Sequence, residues 1–454
     1  MNARPPATGP ARRQWLLPVC LFLLTLPAVT PRIYSSDEIQ YFAFLRSVWF
    51  DRDLSFENEY QYFYDRGIAR SQGFHETFLE RTTDTGRRIN YGTVGCAILW
   101  SPFYLAGDIA ARVTGAPVDG FSKPYVAAIA YGSAVYGFLA LVLAVLCAQR
   151  LGLNGVVAAL AVWLGTPLFF YMYVAPPFSH ACSAFGVALF IYVWLRIRDD
   201  WPARGLFMLG AAGALMAMVR EQDALLVAGP ALDFLWTVFA RHAPTDVSKR
   251  VAGVAAAAAG FTAVFLPQAV TYLILNGHLG PHATVARKMN WMAPHALQVL
   301  FSPAHGFFVW TPLALVALAG LFALFLQRKT RVVVCLLVMV ALQIYSAGSV
   351  ESWTVAGAFG QRRFIALTAV LVLGYAALRQ ALTQPARRAL TIVTVLAVYW
   401  NLALIAEFSV GLMDRQRLEP RQNAYHAFVT LPRMAPSLVY RYLFDRASFY
   451  KHGA

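Results

Sequence analysis

Eleven long apolar stretches constrain this chain more than any other feature. Most approach the roughly 20 apolar residues that an α-helix needs to cross about 30 Å of hydrocarbon. They run approximately over residues 15–29, 125–148, 156–174, 181–197, 206–219, 224–240, 251–275, 307–326, 332–344, 364–378 and 389–406. Hydrophobic residues make up 58% of the 454 and charged residues only 13%, unlike soluble proteins. Because no strand-like alternation is present, we expect an all-α polytopic membrane protein with about eleven transmembrane helices.

Basic residues cluster at the ends of alternate stretches, as they do where positive charge retains loops in the cytoplasm. Arg4, Arg12 and Arg13 precede the first stretch and predict a cytoplasmic N-terminus. Five later clusters, near residues 150, 196–204, 241–250, 328–331 and 379–388, are predicted on the same side. Topology therefore accounts for the net charge of +15, and we expect membrane lipids as partners and no nucleic acid. The Ala- and Arg-rich composition is typical of a bacterial inner membrane protein.

The first stretch ends outside and Arg150 lies in the cytoplasm, so the chain makes one net crossing between them. Residues 125–148 supply it. The apolar residues 93–109, which contain Pro102, are therefore interfacial, re-entrant or a pair of short crossings, and we expect interfacial helices. This predicts a long first outer loop, here called the outer segment (residues 31–123), within one transmembrane module over 1–410. The tail at 411–454 is then periplasmic. Residues 15–29 could instead be the core of a signal peptide, although an uncleaved span fits its poor cleavage site better.

Two acids stand directly after the first stretch. Ser35-Ser36-Asp37-Glu38, followed by apolar residues every three to four positions, predicts a capping box that opens an amphipathic helix lying flat on the membrane. The acids could serve only to complement the helix dipole. Their place beside the span exit, on the side that collects eight of the nine histidines, also suits a catalytic base that meets a lipid phosphate.

The order of several short motifs resembles the C-type membrane glycosyltransferase superfamily, which includes protein O-mannosyltransferases and the aminoarabinose transferases of lipid A. Asp37-Glu38 with Tyr41-Phe42 carries this resemblance first. Similar motifs follow at Gly165-Thr166-Pro167, Ser179-His180-Ala181, Val219-Arg220, Ser302-Pro303-Ala304-His305-Gly306 and Gly360-Gln361-Arg362-Arg363-Phe364. The resemblance covers most of the chain, and it implies the fold of that superfamily.

The resemblance implies an inverting glycosyltransferase that takes sugar from a polyprenyl-phosphate carrier, with Asp37 as the general base. Glu38 would orient Asp37 or the acceptor, or hold a divalent ion (Mg or Mn) together with it. The acceptor stays open between a lipid, a glycan and a protein. Many relatives carry a Lys-Pro-Pro element late in the first outer loop, where this chain has residues 87–93, Arg-Arg-Ile-Asn-Tyr-Gly-Thr. Which group there meets the donor phosphate is therefore open.

A phosphate leaving group requires fixed positive charge, and arginine offers two parallel donors that stay charged. Arg220, beside Glu221 in a tight turn, and the pair Arg362 and Arg363 are the main candidates, and Arg287 with Lys288 and Arg88 are further ones. His180 and His305 are candidate substrate contacts, and Trp353, Trp291 and Tyr91 are candidate platforms for sugar rings. The alternative for each is an interfacial residue reaching the lipid head groups.

A transporter or flippase of lipid-linked saccharides is the competing function from another class. Its substrate pathway would need charges at mid-span, whereas Asp233 and Glu407 lie near stretch ends, and we find no internal repeat of the transporter kind. A glycan polymer ligase of related fold is a third reading, which residues 346–363 keep open. The five cysteines are odd in number, lie in apolar stretches and predict neither a disulfide framework nor a metal site.

Overall fold

The computed structural model describes residues 11–240, 247–446 and 448. The predicted cytoplasmic markers Arg4 and Arg241, and nearly all of the tail after residue 446, lie outside this range. Over the described residues the chain is helical and contains no strand, only isolated β-bridges that join Thr82 to Arg88 and Met289 to Val350. The predicted all-α class is thereby confirmed.

The helices follow one another with short connections. They are α1 (Ala11–Thr25), α2 (Ser36–Arg46), α3 (Glu57–Asp65), α4 (Gln72–Phe74), α5 (Gly95–Thr114), α6 (Lys123–Arg150), α7 (Val156–Gly165), α8 (Leu168–Tyr173), α9 (His180–Ile197), α10 (Ala203–Val219), α11 (Ala228–Ala240), α12 (Val247–Asn276), α13 (Ala283–Arg287), α14 (Ala296–Phe301), α15 (Phe307–Trp310), α16 (Pro312–Gly320), α17 (Ala323–Leu326), α18 (Thr330–Ser349), α19 (Thr368–Ala381), α20 (Gln384–Val410), α21 (Pro420–Tyr425) and α22 (Leu431–Phe444). Turns of 3₁₀ helix cover Leu26–Ala28, Glu221–Val227 and Arg362–Leu367, and π-helical turns cover Ser47–Asp51, His75–Glu80 and His426–Thr430.

Six helices in the described part of the chain are long and apolar enough to cross a membrane, judged by length and composition. They are Lys123–Arg150, His180–Ile197, Ser248–Asn276, Thr330–Ser349, Arg362–Ala381 and Gln384–Val410. Four shorter apolar helices, Gln14–Ala28, Val156–Gly165, Ala203–Val219 and Pro312–Leu326, coincide with further predicted stretches. These helices support an integral membrane protein, and the count of eleven spans stays a prediction.

Proline divides two of the predicted stretches. The stretch at 156–174 breaks at Thr166-Pro167 between α7 and α8, and the stretch at 307–326 breaks at Thr311-Pro312 between α15 and α16. Proline has no amide donor and restrains the residue before it to extended backbone, which Thr166 adopts with φ −133° and ψ 166°. Short helices therefore replace each single predicted span.

The outer segment folds into helices α2 to α5, and its core is shared with buried residues of α6, α9, α10 and α12. Phe42, Phe44, Tyr60 and Trp100 are among its fully buried side chains. Most of residues 93–109, where interfacial helices were predicted, belongs to one continuous helix, α5 (Gly95–Thr114), with Pro102 inside it. Its placement relative to the membrane stays a prediction.

Helices α10 and α12 approach each other closely through glycine. A Cβ atom at Gly210 would lie 1.9 Å from the carbonyl oxygen of Ala257, and one at Gly260 would lie 2.1 Å from that of Phe207. Small residues permit such backbone contact between membrane helices. The first half of α12 is therefore held tightly on α10.

A buried acid joins three helices at the end that the sequence predicts to be cytoplasmic. The side chain of Asp233 in α11 is fully buried and pairs with Arg198 after α9 at 2.8 Å and with Arg331 at the start of α18 at 2.7 Å. Trp194 also donates its indole N–H to Asp233 at 2.9 Å. These residues, here called the Asp233 clamp, satisfy a charge that would otherwise be costly inside the protein.

Single cysteines would test the predicted topology. In a background without the five native cysteines, Ser71→Cys and Gln416→Cys should react with an impermeant maleimide on intact cells, because both residues are exposed and are predicted to lie on the side opposite the basic clusters. Ala203→Cys and Thr330→Cys, also exposed, should react only after permeabilisation. Labelling of Thr330→Cys from outside would invert the predicted orientation.

Candidate functional site

The two acids of the outer segment point in different directions. Ser35 caps α2 by accepting the Glu38 amide at its hydroxyl, and Glu38 Oε2 accepts the amides of Tyr34 at 2.8 Å and Ser35 at 3.0 Å. The predicted capping box is therefore confirmed. Glu38 is fully buried, whereas the Asp37 side chain is 40% exposed. Successive helical residues lie about 100° apart, so Asp37 points away from the capping contacts of Glu38.

Burial determines the charge of Glu38. Its removal from water raises the pKa of this carboxyl to about 8, against the smaller effect of the two backbone amides that favour the ionised form. Glu38 is therefore mostly neutral at pH 7, and one of its oxygens, Oε1, is buried without a hydrogen-bond partner in the described structure. Its contacts make it a positioning residue for the start of α2 rather than a second acid in the cleft.

Asp37 forms an ion pair with one of the two predicted arginines. Its Oδ2 lies 2.8 Å from Nη1 of Arg362, which stands in the 3₁₀ turn before α19, and both side chains are partly exposed. The Arg362 guanidinium also lies over the ring of Phe178, 5.0 Å from its centroid. These two contacts fix the position of the Arg362 guanidinium beside Asp37.

The neighbouring Arg363 is oriented differently from the prediction. It is 7% exposed, and its two terminal nitrogens donate to the carbonyl oxygen of Ser352 at 3.0 Å and to the hydroxyl of the same residue at 3.1 Å. Because consecutive residues of a helical turn point apart, only Arg362 reaches Asp37. Arg363 instead holds the loop before it.

Arg220 joins the site from the end of α10. Its Nη1 lies 2.8 Å from Nδ1 of His180, and its Nη2 donates to Gln222 at 3.1 Å. Arginine has donors only, so Nδ1 of His180 is the acceptor and the neutral ring carries its proton on Nε2. The His180 ring also stacks against Phe178. Phe178 therefore contacts both His180 and Arg362.

The arginines Arg220, Arg362 and Arg363, here called the arginine cluster, converge on one place. All three are close enough to His180 to interact with it electrostatically, and Asp37 acts on Arg362 and Arg363 in the same way. Two acids lie close to these three guanidinium groups, since Asp37 pairs with Arg362 and Asp223 interacts with Arg220, so positive charge is in excess. Such an excess of positive charge suits an anion.

Tyr41 completes the site and was not among the predicted site residues. It lies one helical turn after Asp37, on the same face of α2, and is close enough to Asp37 and Arg220 to interact with both. Its hydroxyl accepts a hydrogen bond from Ser179 at 3.1 Å. Burial raises its pKa to about 12, so its own proton remains available to a ligand. The spacing of Asp37 and Tyr41 in the sequence was the signal for it.

Glu221 and Asp223 both bond to neighbouring helices. The Glu221 carboxylate accepts the hydroxyl of Tyr272 in α12, and the buried Asp223 accepts that of Ser183 at 2.6 Å. Burial raises the pKa of both acids, that of Asp223 to about 6. These contacts fix the turn that carries Arg220 rather than placing either acid beside Asp37.

His305 is buried at the end of a loop with a left-handed backbone (φ 64°). Its Nε2 donates to the carbonyl oxygen of Ala358 at 2.8 Å, and its ring stacks on Trp310 with centroids 4.6 Å apart. Burial lowers its pKa to about 4, so it is neutral at pH 7. Its Nδ1 has no partner within the described residues. The ring thus ties two loops together.

Three further predicted residues have other contacts. Arg88 pairs with Glu57 at 2.8 Å inside the outer segment, and half-buried Trp353 stacks on His295 with centroids 5.2 Å apart. The ring of Tyr91 lies 5.6 Å from the ammonium of Lys288. Tyr91 comes nearest to the site, because a Cβ atom on the next residue, Gly92, would touch the Tyr41 ring at 3.3 Å.

A divalent ion held jointly by Asp37 and Glu38 stays a prediction. Among the described residues no group of three His, Cys, Asp or Glu side chains is placed to hold a metal ion. Asp37 pairs with Arg362, while Glu38 is directed at backbone amides. The two carboxylates therefore do not face a common ligand position.

The chain matches no model of a known protein family and no curated protein. The resemblance to C-type membrane glycosyltransferases thus stands on the motifs quoted above. Any function must be argued from Asp37, Tyr41, His180 and the arginine cluster.

Proposed function

We propose that this chain is an inverting membrane glycosyltransferase that moves a sugar from a polyprenyl-phosphate carrier to an acceptor hydroxyl at the periplasmic face. The observation that carries the proposal is the ion pair of Asp37 with Arg362 inside the arginine cluster. It combines an accessible carboxylate, which can take a proton, with fixed positive charge, which can hold a phosphate. The apolar helices are consistent with a lipid-linked substrate.

In this proposal the acceptor oxygen attacks the anomeric carbon of the sugar from the side opposite the phosphate. The C–O bond to the phosphate breaks, and its electron pair leaves with polyprenyl phosphate. Asp37 takes the acceptor proton, so the hydroxyl becomes the new glycosidic oxygen. Arg362 and Arg220 balance the charge that grows on the leaving phosphate, and the proton on Tyr41 is placed to bond either the phosphate or the sugar.

The test is transfer by the purified protein in lipid. Mass spectrometry of polyprenyl-phosphate sugars that co-purify with it would identify the donor, and incubation with candidate acceptors would detect the product and its anomeric configuration. Release of free polyprenyl phosphate together with an inverted product would support the proposal. Movement of intact lipid-linked sugar across vesicles, without cleavage, would favour the flippase instead.

Arg362 provides a separate prediction. Arg362→Ala should lower kcat/KM for the donor about 10- to 100-fold, because a hydrogen bond to a charged group contributes about 1.5–3 kcal/mol. Arg362→Lys should give an intermediate loss, since it keeps the charge but not the two parallel donors. The measurement is initial rate at varied donor and saturating acceptor.

Arg417→Ala is the matched control for Arg362, because Arg417 pairs with Glu419 at the same 2.8 Å while both side chains are largely exposed. It should leave the kinetics unchanged. Equal donor kinetics for wild type, Arg362→Ala and Arg362→Lys would remove Arg362 from the phosphate site.

A further inference from the structure

A second recess lies apart from the candidate site. It has a volume of about 880 Å³ and is formed by α2 with its following turn, α5 and the second half of α12. Neither Asp37 nor any member of the arginine cluster lines it. Most of the lining side chains are apolar. This recess, here called the lateral groove, therefore needs an occupant other than the phosphate proposed for the arginine cluster.

Several side chains that line the lateral groove are exposed. Val48, Ile98, Leu266 and Val270 line it and are 39–57% exposed. Leu266 and Val270 belong to α12, one of the six helices apolar enough to cross a membrane. In a membrane Leu266 and Val270 would face lipid, so the α12 wall of the groove would open sideways to hydrocarbon.

The length of the groove along α12 is close to the thickness of one leaflet. Its α12 lining runs from Ala263 to Ile274, which at 1.5 Å per residue is about 16 Å. Half of a hydrocarbon core of about 30 Å is about 15 Å. A single acyl chain thus fits along it, whereas a polyprenyl chain longer than one leaflet would extend past its end.

Two arginines line the groove, and one of them stands at the end of α12. The hydroxyl of Thr85 donates to the carbonyl oxygens of Ile274 at 3.1 Å and Leu275 at 2.8 Å, which places the segment bearing Arg87 at the end of α12. Arg87 and Arg52 both line the groove. The guanidinium of neither has a partner within the described part of the chain. Asp53, the one acid among the described lining residues, accepts the hydroxyl of Ser47 at 2.7 Å and keeps its charge, so the two arginines leave the lining with a net positive charge.

We propose that the lateral groove binds an anionic phospholipid of the surrounding membrane, with one acyl chain along α12 and the phosphate between Arg52 and Arg87. The chain length and the two arginines select this occupant. Phe44 and Leu45 of α2 form part of the wall, so the lipid would also brace the helix that carries Asp37. The proposal does not depend on glycosyl transfer.

The experiment measures bound lipid and thermal stability of the protein purified in a mild detergent. Phosphatidylglycerol should copurify and should raise the melting temperature when added back, and phosphatidylcholine should do so much less. Arg52→Gln/Arg87→Gln should bind phosphatidylglycerol roughly 30-fold more weakly, since each arginine near anionic lipid contributes a factor of about five. Arg66→Gln/Arg70→Gln, which changes two exposed arginines of the outer segment away from the groove, should behave as wild type.

A second pair of variants tests the chain position. Ser101→Phe fills the groove and should also abolish the phosphatidylglycerol effect, while Val254→Phe, on the exposed face of α12 outside the groove, should not. Equal stabilisation of wild type, Arg52→Gln/Arg87→Gln and Ser101→Phe would overturn the proposal. Polyprenyl phosphate recovered in place of phospholipid, and lost in the same variants, would overturn the identity of the occupant.

Discussion

Asp37→Asn should reduce sugar transfer about 100-fold or more, the loss expected when a general base is removed. The amide keeps the size of the side chain and its place in α2, but it cannot take the acceptor proton. Because the pair of Asp37 with Arg362 is partly exposed, its loss should cost the folded protein at most about 1 kcal/mol. Initial rates and the melting temperature, measured on the same preparation, separate the two effects.

Glu38→Gln is the matched variant for this experiment. Glu38 is the adjacent acid, is mostly neutral at pH 7 and accepts backbone amides that a glutamine oxygen can also accept. Its activity should therefore stay within a few-fold of wild type. Equal activity of Asp37→Asn and wild type would reduce Asp37 to a residue of the helix start and remove the proposed mechanism.

Asp233→Ala should give the largest loss of stability. The substitution removes the carboxylate with which Arg198 and Arg331 pair. Removal of one partner of a buried ion pair lowers the free energy of unfolding by about 3–5 kcal/mol. The expected result is a melting temperature lower by several degrees and a smaller yield of monodisperse protein in detergent. Fluorescence-detected size exclusion after heating is the measurement.

Asp199→Ala provides the comparison, because Asp199 lies 3.7 Å from the same Arg198 but its side chain is 84% exposed. Exposed ion pairs contribute little, so the melting temperature should be nearly unchanged. A similar loss in both variants would mean that charge near Arg198, rather than the buried clamp, determines stability.

Local patterns in the sequence predicted local structure well. The all-helical class follows from apolar length, and the capping box follows from the four residues Ser35 to Glu38, because both depend on neighbouring residues only. The same four residues could not show which acid is buried and which is exposed. Their difference arises from tertiary burial of Glu38 and from Arg362, which is distant in sequence.

The arginines show the same limit. Arg362 and Arg363 are chemically identical and adjacent, so only the packed structure, with Ser352 taking one and Asp37 the other, tells them apart. Proline at 167 and 312 marked the broken stretches in the sequence, yet apolar length alone predicted continuous spans there. The Asp233 clamp likewise depends on three helices meeting, which one sequence does not reveal.

The ion pair of Asp37 with Arg362 also sets an order of events during synthesis. The two residues are separated by 362 − 37 = 325 positions, which a ribosome adding 5–20 residues per second covers in about 16–65 s. Throughout that interval the nascent chain exposes Asp37 without its arginine. A chain truncated before residue 362 would therefore carry Asp37 without its arginine, so the proposed site would be complete only late in membrane insertion.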